Sequence, residues 1–308
     1  MVDANLSGAR VDAPVSARQV RLRRGLELAA SVLSNPTTTL GLAIITMLIG
    51  MAVLAPVITE PNVPDPYQMP RDWGAVAKPP GTPGYPLGTT NEGGDVLYGM
   101  IWGARTSLQL SLTVVGIAAL VGGIVGSVAG CVGGRVDELL MRLVDVFLSI
   151  PELIFALAIA AVLGPSFGNI IFALSVVFWV KYARIMRAQI IHIRQNEYID
   201  AARVIGDSRL NIYRRDVLPN AITPLMVQAT LDMGHVVLIG ATLSFIGLSQ
   251  AGIAEWGVLV SEGQAGISAG RWWASTFPGL MVFLWALAFN LVGDGLRDAF
   301  DPRTESGR

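Results

Sequence analysis

Asp200-Ala201-Ala202-Arg203-Val204-Ile205-Gly206-Asp207-Ser208-Arg209-Leu210-Asn211-Ile212-Tyr213-Arg214-Arg215-Asp216-Val217-Leu218-Pro219 is a polar, positively weighted segment set between two long apolar runs. That contrast decides the fold, because each run reaches the roughly 20 residues that a helix needs to cross a bilayer. The segment itself reads as helix, turn, helix. Asp200 suits a helix start, where a carboxylate meets free backbone N–H groups and the positive end of the helix dipole. Ala201 and Ala202 favour helix and add little bulk. Gly206 permits a change of direction that a side chain would resist. A second short helix is predicted over about 208–216, and Pro219 falls in the first turn of the next helix, where its missing N–H costs nothing.

Outward from this segment, the chain has the composition of a membrane protein. Of its 308 residues, 52% are hydrophobic and 15% charged, against about 25% charged in soluble domains; the mean hydropathy is +0.55. The prediction is an all-α integral membrane protein with six transmembrane helices, near 38–58, 106–131, 144–163, 169–190, 221–248 and 276–296. Residues 1–36 form a tail that becomes amphipathic near 22–33, 37–59 the first helix, and 60–105 an ordered Pro- and Gly-rich external loop. A five-helix core over 106–303 contains the polar loop 193–219, and 304–308 form a second tail. The first apolar run is expected to be a span and not a cleaved signal peptide, since it has a span's length and 55–57 offers no clear cleavage site.

Orientation follows from the Lys/Arg bias of short loops. Arg10, Arg18, Arg21, Arg23 and Arg24 precede the first span, Arg135 and Arg142 follow the second, and Arg297, Arg303 and Arg308 follow the sixth. Lys181, Arg184, Arg187, Arg194, Arg203, Arg209, Arg214 and Arg215 lie at or beyond the end of the fourth. The opposite side carries Arg71, Lys78, Arg105 and Arg271. Both termini and the 193–219 loop are therefore predicted to be cytoplasmic. Trp256, Trp272 and Trp273 are expected as interfacial anchors, and the glycines of the second span as helix-packing residues.

Little in the chain suggests catalysis. Cys131 is the one cysteine, read as a packing residue. Together with His192 and His235 it gives no metal-ligand spacing. The sequence holds no HExxH, nucleophile elbow or GK[ST] phosphate loop. Its basic residues follow the topology rule, so nucleic-acid binding is not supported. Ionisable groups inside spans are costly and mark pathways. Asp232 and His235, three residues apart, share a helix face and are candidates for a translocation path; a mutually satisfied pair is the plainer alternative. Glu152 is expected to pair with an arginine or cap a broken helix, and Asp145 to pair with Arg142.

Several separate motifs stand in order along about 37–303. They are Pro86-Leu87-Gly88-Thr89, Gly93, Asp95-Val96-Leu97 and Gly103-Ala104-Arg105-Thr106-Ser107-Leu108; then Gly133-Gly134, Asp137, Met141-Arg142, Asp145 and Ile150-Pro151. Trp179, Ala183-Arg184, Arg187-Ala188-Gln189 and Glu197-Tyr198 precede the polar loop. Leu243-Ser244-Phe245-Ile246-Gly247-Leu248, Trp256-Gly257 and Asn290 through Arg303 complete the set. Their order and spacing resemble the C-type permease subunit of the oligopeptide/dipeptide/nickel group of ABC importers. The family has Asp and Arg where Thr90 and Gly94 stand, Glu for Asp200, Ile for Asp216, and often Glu at Gly240.

The resemblance implies the type I ABC importer permease fold and half of a translocation path for di- or oligopeptides. It implies a paralogous permease partner, two ABC ATPase subunits that hold the ATP and Mg, an external substrate-binding protein, and no cofactor or metal in this chain. Coupling to the ATPases falls on Glu197, Asp200, Ala201, Ala202, Gly206, Leu218 and Pro219, and contact with the binding protein on Gly88, Thr89, Asp95 and Arg105. Nickel or another chelated metal is the nearest alternative cargo. An ion-coupled secondary carrier is the alternative of a different class, told apart by whether transport needs ATP or an ion gradient.

Overall fold

A computed structural model describes residues 33–300; expectations on 1–32 and 301–308, including the two tails and their arginines, lie outside the described residues. The described chain is helical, joined by turns and isolated β-bridges. In order come α1 (Pro36–Ile58), α2 (Val96–Val132), α3 (Gly134–Leu148), α4 (Glu152–Leu163), α5 (Phe167–Ile193), α6 (Glu197–Val204), α7 (Arg209–Ile212), α8 (Leu218–Phe245), α9 (Trp256–Gln264) and α10 (Trp273–Phe300). Within the described residues, α1, α2, α5, α8 and α10 are long and apolar enough to cross a membrane.

The predicted third span is broken. α3 and α4 meet at an 84° bend over Ser149–Pro151. Pro151 supplies no N–H and pushes Ile150 out of the helical region, so the helix stops and restarts. The second span differs in length. Asp95 accepts a hydrogen bond from Leu97 N and starts α2 at Val96, so the last residues of the predicted loop are helical. At 37 residues, α2 is about 55 Å long and outreaches the apolar layer.

α2 packs most extensively on α5. A Cβ at Gly122 would overlap the Trp179 carbonyl oxygen, and one at Gly126 that of Ala183. Backbones this close gain dispersion and need small residues. Gly116 makes no such contact. α8 and α10 run antiparallel, and α1 lies against α10 where Gly295 meets Thr38.

The 59–95 segment is a folded cap. Met69 N donates to Gly252 O at 2.9 Å, Ala254 N to Tyr67 O at 2.6 Å, and Arg71 bridges Glu92 and Glu262. Two of the expected anchors are buried. Trp256 is fully enclosed and Trp273 nearly so, leaving Trp272 half exposed. Their indole N–H groups go to protein acceptors, Trp256 to Met100 O in α2 and Trp273 to Thr89 O in the cap, so Trp273 holds the cap down and Trp256 ties α9 to α2.

Candidate functional site

The 193–219 loop is a lever fixed at three points. Ile199, Ile212 and Val217 point inward and join the core cluster that includes Phe178, Tyr182 and Leu225. Helix α6 begins at Glu197 with Asn196 as its flanking residue, so Asp200 does not start it. Asp200 lies one turn in, where its carboxylate accepts from Arg203 Nη1 at 2.7 Å. Ala201 is exposed and Ala202 half-buried. The helix ends on Gly206 at φ +91°. Gly206 N donates to Arg203 O at 3.0 Å and Asp207 N to Ala202 O at 3.1 Å, the paired bonds that close a helix on a left-handed glycine. Ser208 then caps α7, accepting from Asn211 N, while Asp207 Oδ1 accepts from Asn211 Nδ2.

No loop separates this lever from the next span. Residues Tyr213–Val217 form a π-turn, with Leu218 N bonded to Tyr213 O, and run directly into α8. Pro219 stands in the first turn of α8, where sequence placed it. Its lack of an N–H removes one rung of an α-ladder, and the wider π-turn, a form that recurs at functional sites, lies immediately before it. Asn220 Nδ2 caps the Asp216 carbonyl at 2.6 Å. Leu218 is half-buried. The outer face of the lever is apolar although the loop itself is polar. Val204 is 88% exposed, Ile205 85% and Leu210 66%.

A second polar group sits between α4, α5 and α8. Asp232 is 2% exposed and accepts from Gln228 Nε2 at 3.1 Å; it is enclosed, while His235, one turn on, is open. His235 Nδ1 lies 3.7 Å from Glu152 Oε1. Glu152 Oε2 pairs with Lys181 Nζ at 2.5 Å, so its partner is a lysine, not the arginine expected. Two other pairings also differ. Arg142 pairs with Glu138 one turn away, and Asp145 with Arg184 on α5. Arg187 clasps Asp137 with two nitrogens, at 2.5 and 2.7 Å. The i, i+4 spacing of Glu138 and Arg142 is a local signal that the pairing of Arg142 with Asp145 overlooked; the pairs between helices have no local signal.

The cap residues have structural work. Gly88 (φ +80°) is closed in by Lys78 O and the Trp273 indole. Thr89 is 1% exposed, accepts from Lys78 N and donates to Ala75 O. Asp95 caps α2, with burial pushing its carboxyl above the usual range. Arg105 lies over the Trp102 ring at 5.2 Å. In this conformation Gly88 and Thr89 are therefore not surfaces that an external protein could touch. At the two positions where the resemblance departs, Thr90 Oγ1 accepts from Gly94 N at 3.0 Å. Among the described residues no three His, Cys, Asp or Glu side chains gather as metal ligands would.

Residues 122–306 match the family of binding-protein-dependent transport system inner membrane components. A probable D,D-dipeptide transport system permease protein of Escherichia coli (strain K12) is 37% identical, over 91% of this chain and 92% of its own. A dipeptide transport system permease protein of Bacillus subtilis (strain 168) is 36% identical, over 87% of this chain and 82% of its own. A di/tripeptide transport system permease protein of Pseudomonas aeruginosa (strain UCBPP-PA14) is 37% identical, over 86% and 88%.

Proposed function

The chain belongs to the family of binding-protein-dependent transport system inner membrane components, and from that premise we propose that it is the peptide-conducting permease subunit of an ABC importer, driven through its 193–219 lever. It is a multi-pass inner-membrane protein and not the catalytic subunit; ATP hydrolysis belongs to separate chains. The relatives' peptide cargo supports di- or oligopeptides as the solute here. In the assembly it pairs with a second permease, docks on two ATPases that hold ATP and Mg, and receives cargo from an external binding protein. Both termini and the lever face the cytoplasm.

One observation carries this reading. A polar, water-facing loop exposes Val204, Ile205 and Leu210 on one side while Ile199, Ile212 and Val217 bolt it to the core on the other. Exposed apolar patches rimmed by charge mark protein contacts. The π-turn then joins that contact to α8 without a flexible joint, so a push on the tip becomes a movement of a membrane helix. Alternating access follows if the ATPases bind the two permease states with different affinity, since a partner shifts an equilibrium only by that difference.

The test is reconstitution of the assembly in proteoliposomes with cargo-loaded binding protein. ATP-dependent dipeptide uptake is expected, and none with ATP replaced by a proton or sodium gradient. Gradient-driven uptake would establish a secondary carrier, and uptake of nickel without peptide would move the cargo assignment to a chelated metal.

A further inference from the structure

Glu152 is the first residue of α4, directly after the break in the third span. Its two carboxylate oxygens have different surroundings. Oε2 holds Lys181 Nζ at 2.5 Å, and that ammonium also lies over the Phe178 ring at 4.7 Å. Oε1 receives no hydrogen bond from the described residues. Facing it at 3.7 Å is His235 Nδ1, on a ring packed edge-on against Phe178. In the tautomer with its proton on Nε2, the neutral imidazole presents Nδ1 as a second acceptor beside Oε1, and the site proposed below uses that form.

That spacing fits one kind of ligand. A primary ammonium donates up to three hydrogen bonds, and a nitrogen about 2.9 Å from each acceptor spans a 3.7 Å gap comfortably. The imidazole is the accessible edge of the group, with 43% of the His235 side chain exposed against 22% of Glu152; Oε1 itself is enclosed in this conformation, so the cation reaches it past the His235 ring. Ionisable side chains in spans face a bundle interior or a watery cavity and not lipid. We infer that Glu152 Oε1 and His235 Nδ1 form a transient site for the ammonium group of the passing cargo, resting on the peptide reading above. The site joins the broken span to α8, the same helix that carries the lever, so its two acceptors separate when α8 moves and the cation is released. The cargo's ammonium and Lys181 share one carboxylate, which keeps the site weak enough to leave.

The experiment uses the nanodisc-embedded assembly without its binding protein, observed by saturation-transfer NMR at millimolar alanyl-alanine and, separately, its desamino analogue propionyl-alanine. Wild type is expected to transfer saturation to alanyl-alanine at least about fivefold more than to the analogue. Glu152→Gln removes that difference, Glu152→Asp keeps most of it, and Lys181→Met keeps or increases it. A purely structural ion pair would make Glu152→Gln and Lys181→Met behave alike. Equal transfer to both probes, transfer to neither, or a difference unchanged in Glu152→Gln overturns the site. Alanyl-alanine uptake with the binding protein, measured in parallel, separates the two claims. Absent wild-type uptake refutes the peptide reading, whereas normal uptake without Glu152 dependence in the NMR refutes only this site.

Discussion

Replacing Gly206 is the sharpest perturbation of the lever, because its cost can be worked out locally. Nothing lies within 4 Å of where a Cβ would stand, so Gly206→Ala meets no clash with the rest of the chain. What remains is the left-handed backbone at φ +91°, which costs an L-residue about 1–2 kcal/mol. That amount changes a two-state ratio by roughly 5- to 30-fold. If only the correctly turned lever docks, the apparent affinity for the ATPases falls by the same factor. Asn tolerates this region better than Ala, so Gly206→Asn should lose less. Gly206→Pro fixes φ near −65° and deletes the N–H that meets Arg203 O, so docking should fail. The assay is co-purification of the ATPases together with ATP-driven uptake, on variants that insert equally well. The expected order of uptake is Gly, Asn, Ala, Pro. Wild-type uptake by Gly206→Pro, or Ala equal to Gly, would refute the reasoning.

Ile205→Asp should leave insertion and thermal stability intact, since the side chain is 85% exposed, yet weaken ATPase co-purification by about tenfold or more, because covering an Ile is worth roughly 1.5–3 kcal/mol. Gly122→Ala should destabilise the subunit by about 1–3 kcal/mol, read as a lower Tm, whereas Gly116→Ala, with open space around it, should not. Burial holds the Glu255 carboxyl above its usual range, although Gly257 N and Val258 N donate to it and oppose that shift. A raised folded-state value means that this group's contribution is fully present below the ordinary carboxylate range and fades as pH rises through the raised one. Glu255→Gln should flatten that part of a Tm-versus-pH curve measured on the purified assembly.

What could be read from sequence was local. The apolar runs, the left-handed turn at Gly206 and the place of Pro219 each follow from a few adjacent residues. The break at Ser149–Pro151 was harder, because the hydropathy of 144–163 is that of one continuous span and Pro151 alone decides otherwise. The start of α2 at Val96 was missed because the Asp95 cap lies within a stretch that reads as loop by its glycines. Long-range partners were not legible at all. Sequence distance does not say that Glu152 meets Lys181 or that Asp145 meets Arg184, nor that α2 and α10 close around Trp256. Asp232 reads as the natural pathway carboxylate from its mid-span position; the fold encloses it with Gln228 as its donor and brings Glu152 and His235 together nearby, with His235 the exposed edge. The apolar tip of the lever could have been found from Val204-Ile205 and Leu210, which interrupt an otherwise polar segment on either side of the turn.

The most direct measurement is crosslinking from the lever tip. With Cys131 replaced by Ala and Ile205 by Cys, a short thiol-to-amine crosslinker applied to the assembled transporter in inverted membrane vesicles should join this subunit to an ATPase. The same cysteine in intact cells should stay unlabelled by a membrane-impermeant maleimide. Labelling from outside, or a tip that crosslinks to no ATPase in a complex competent for uptake, would contradict the account.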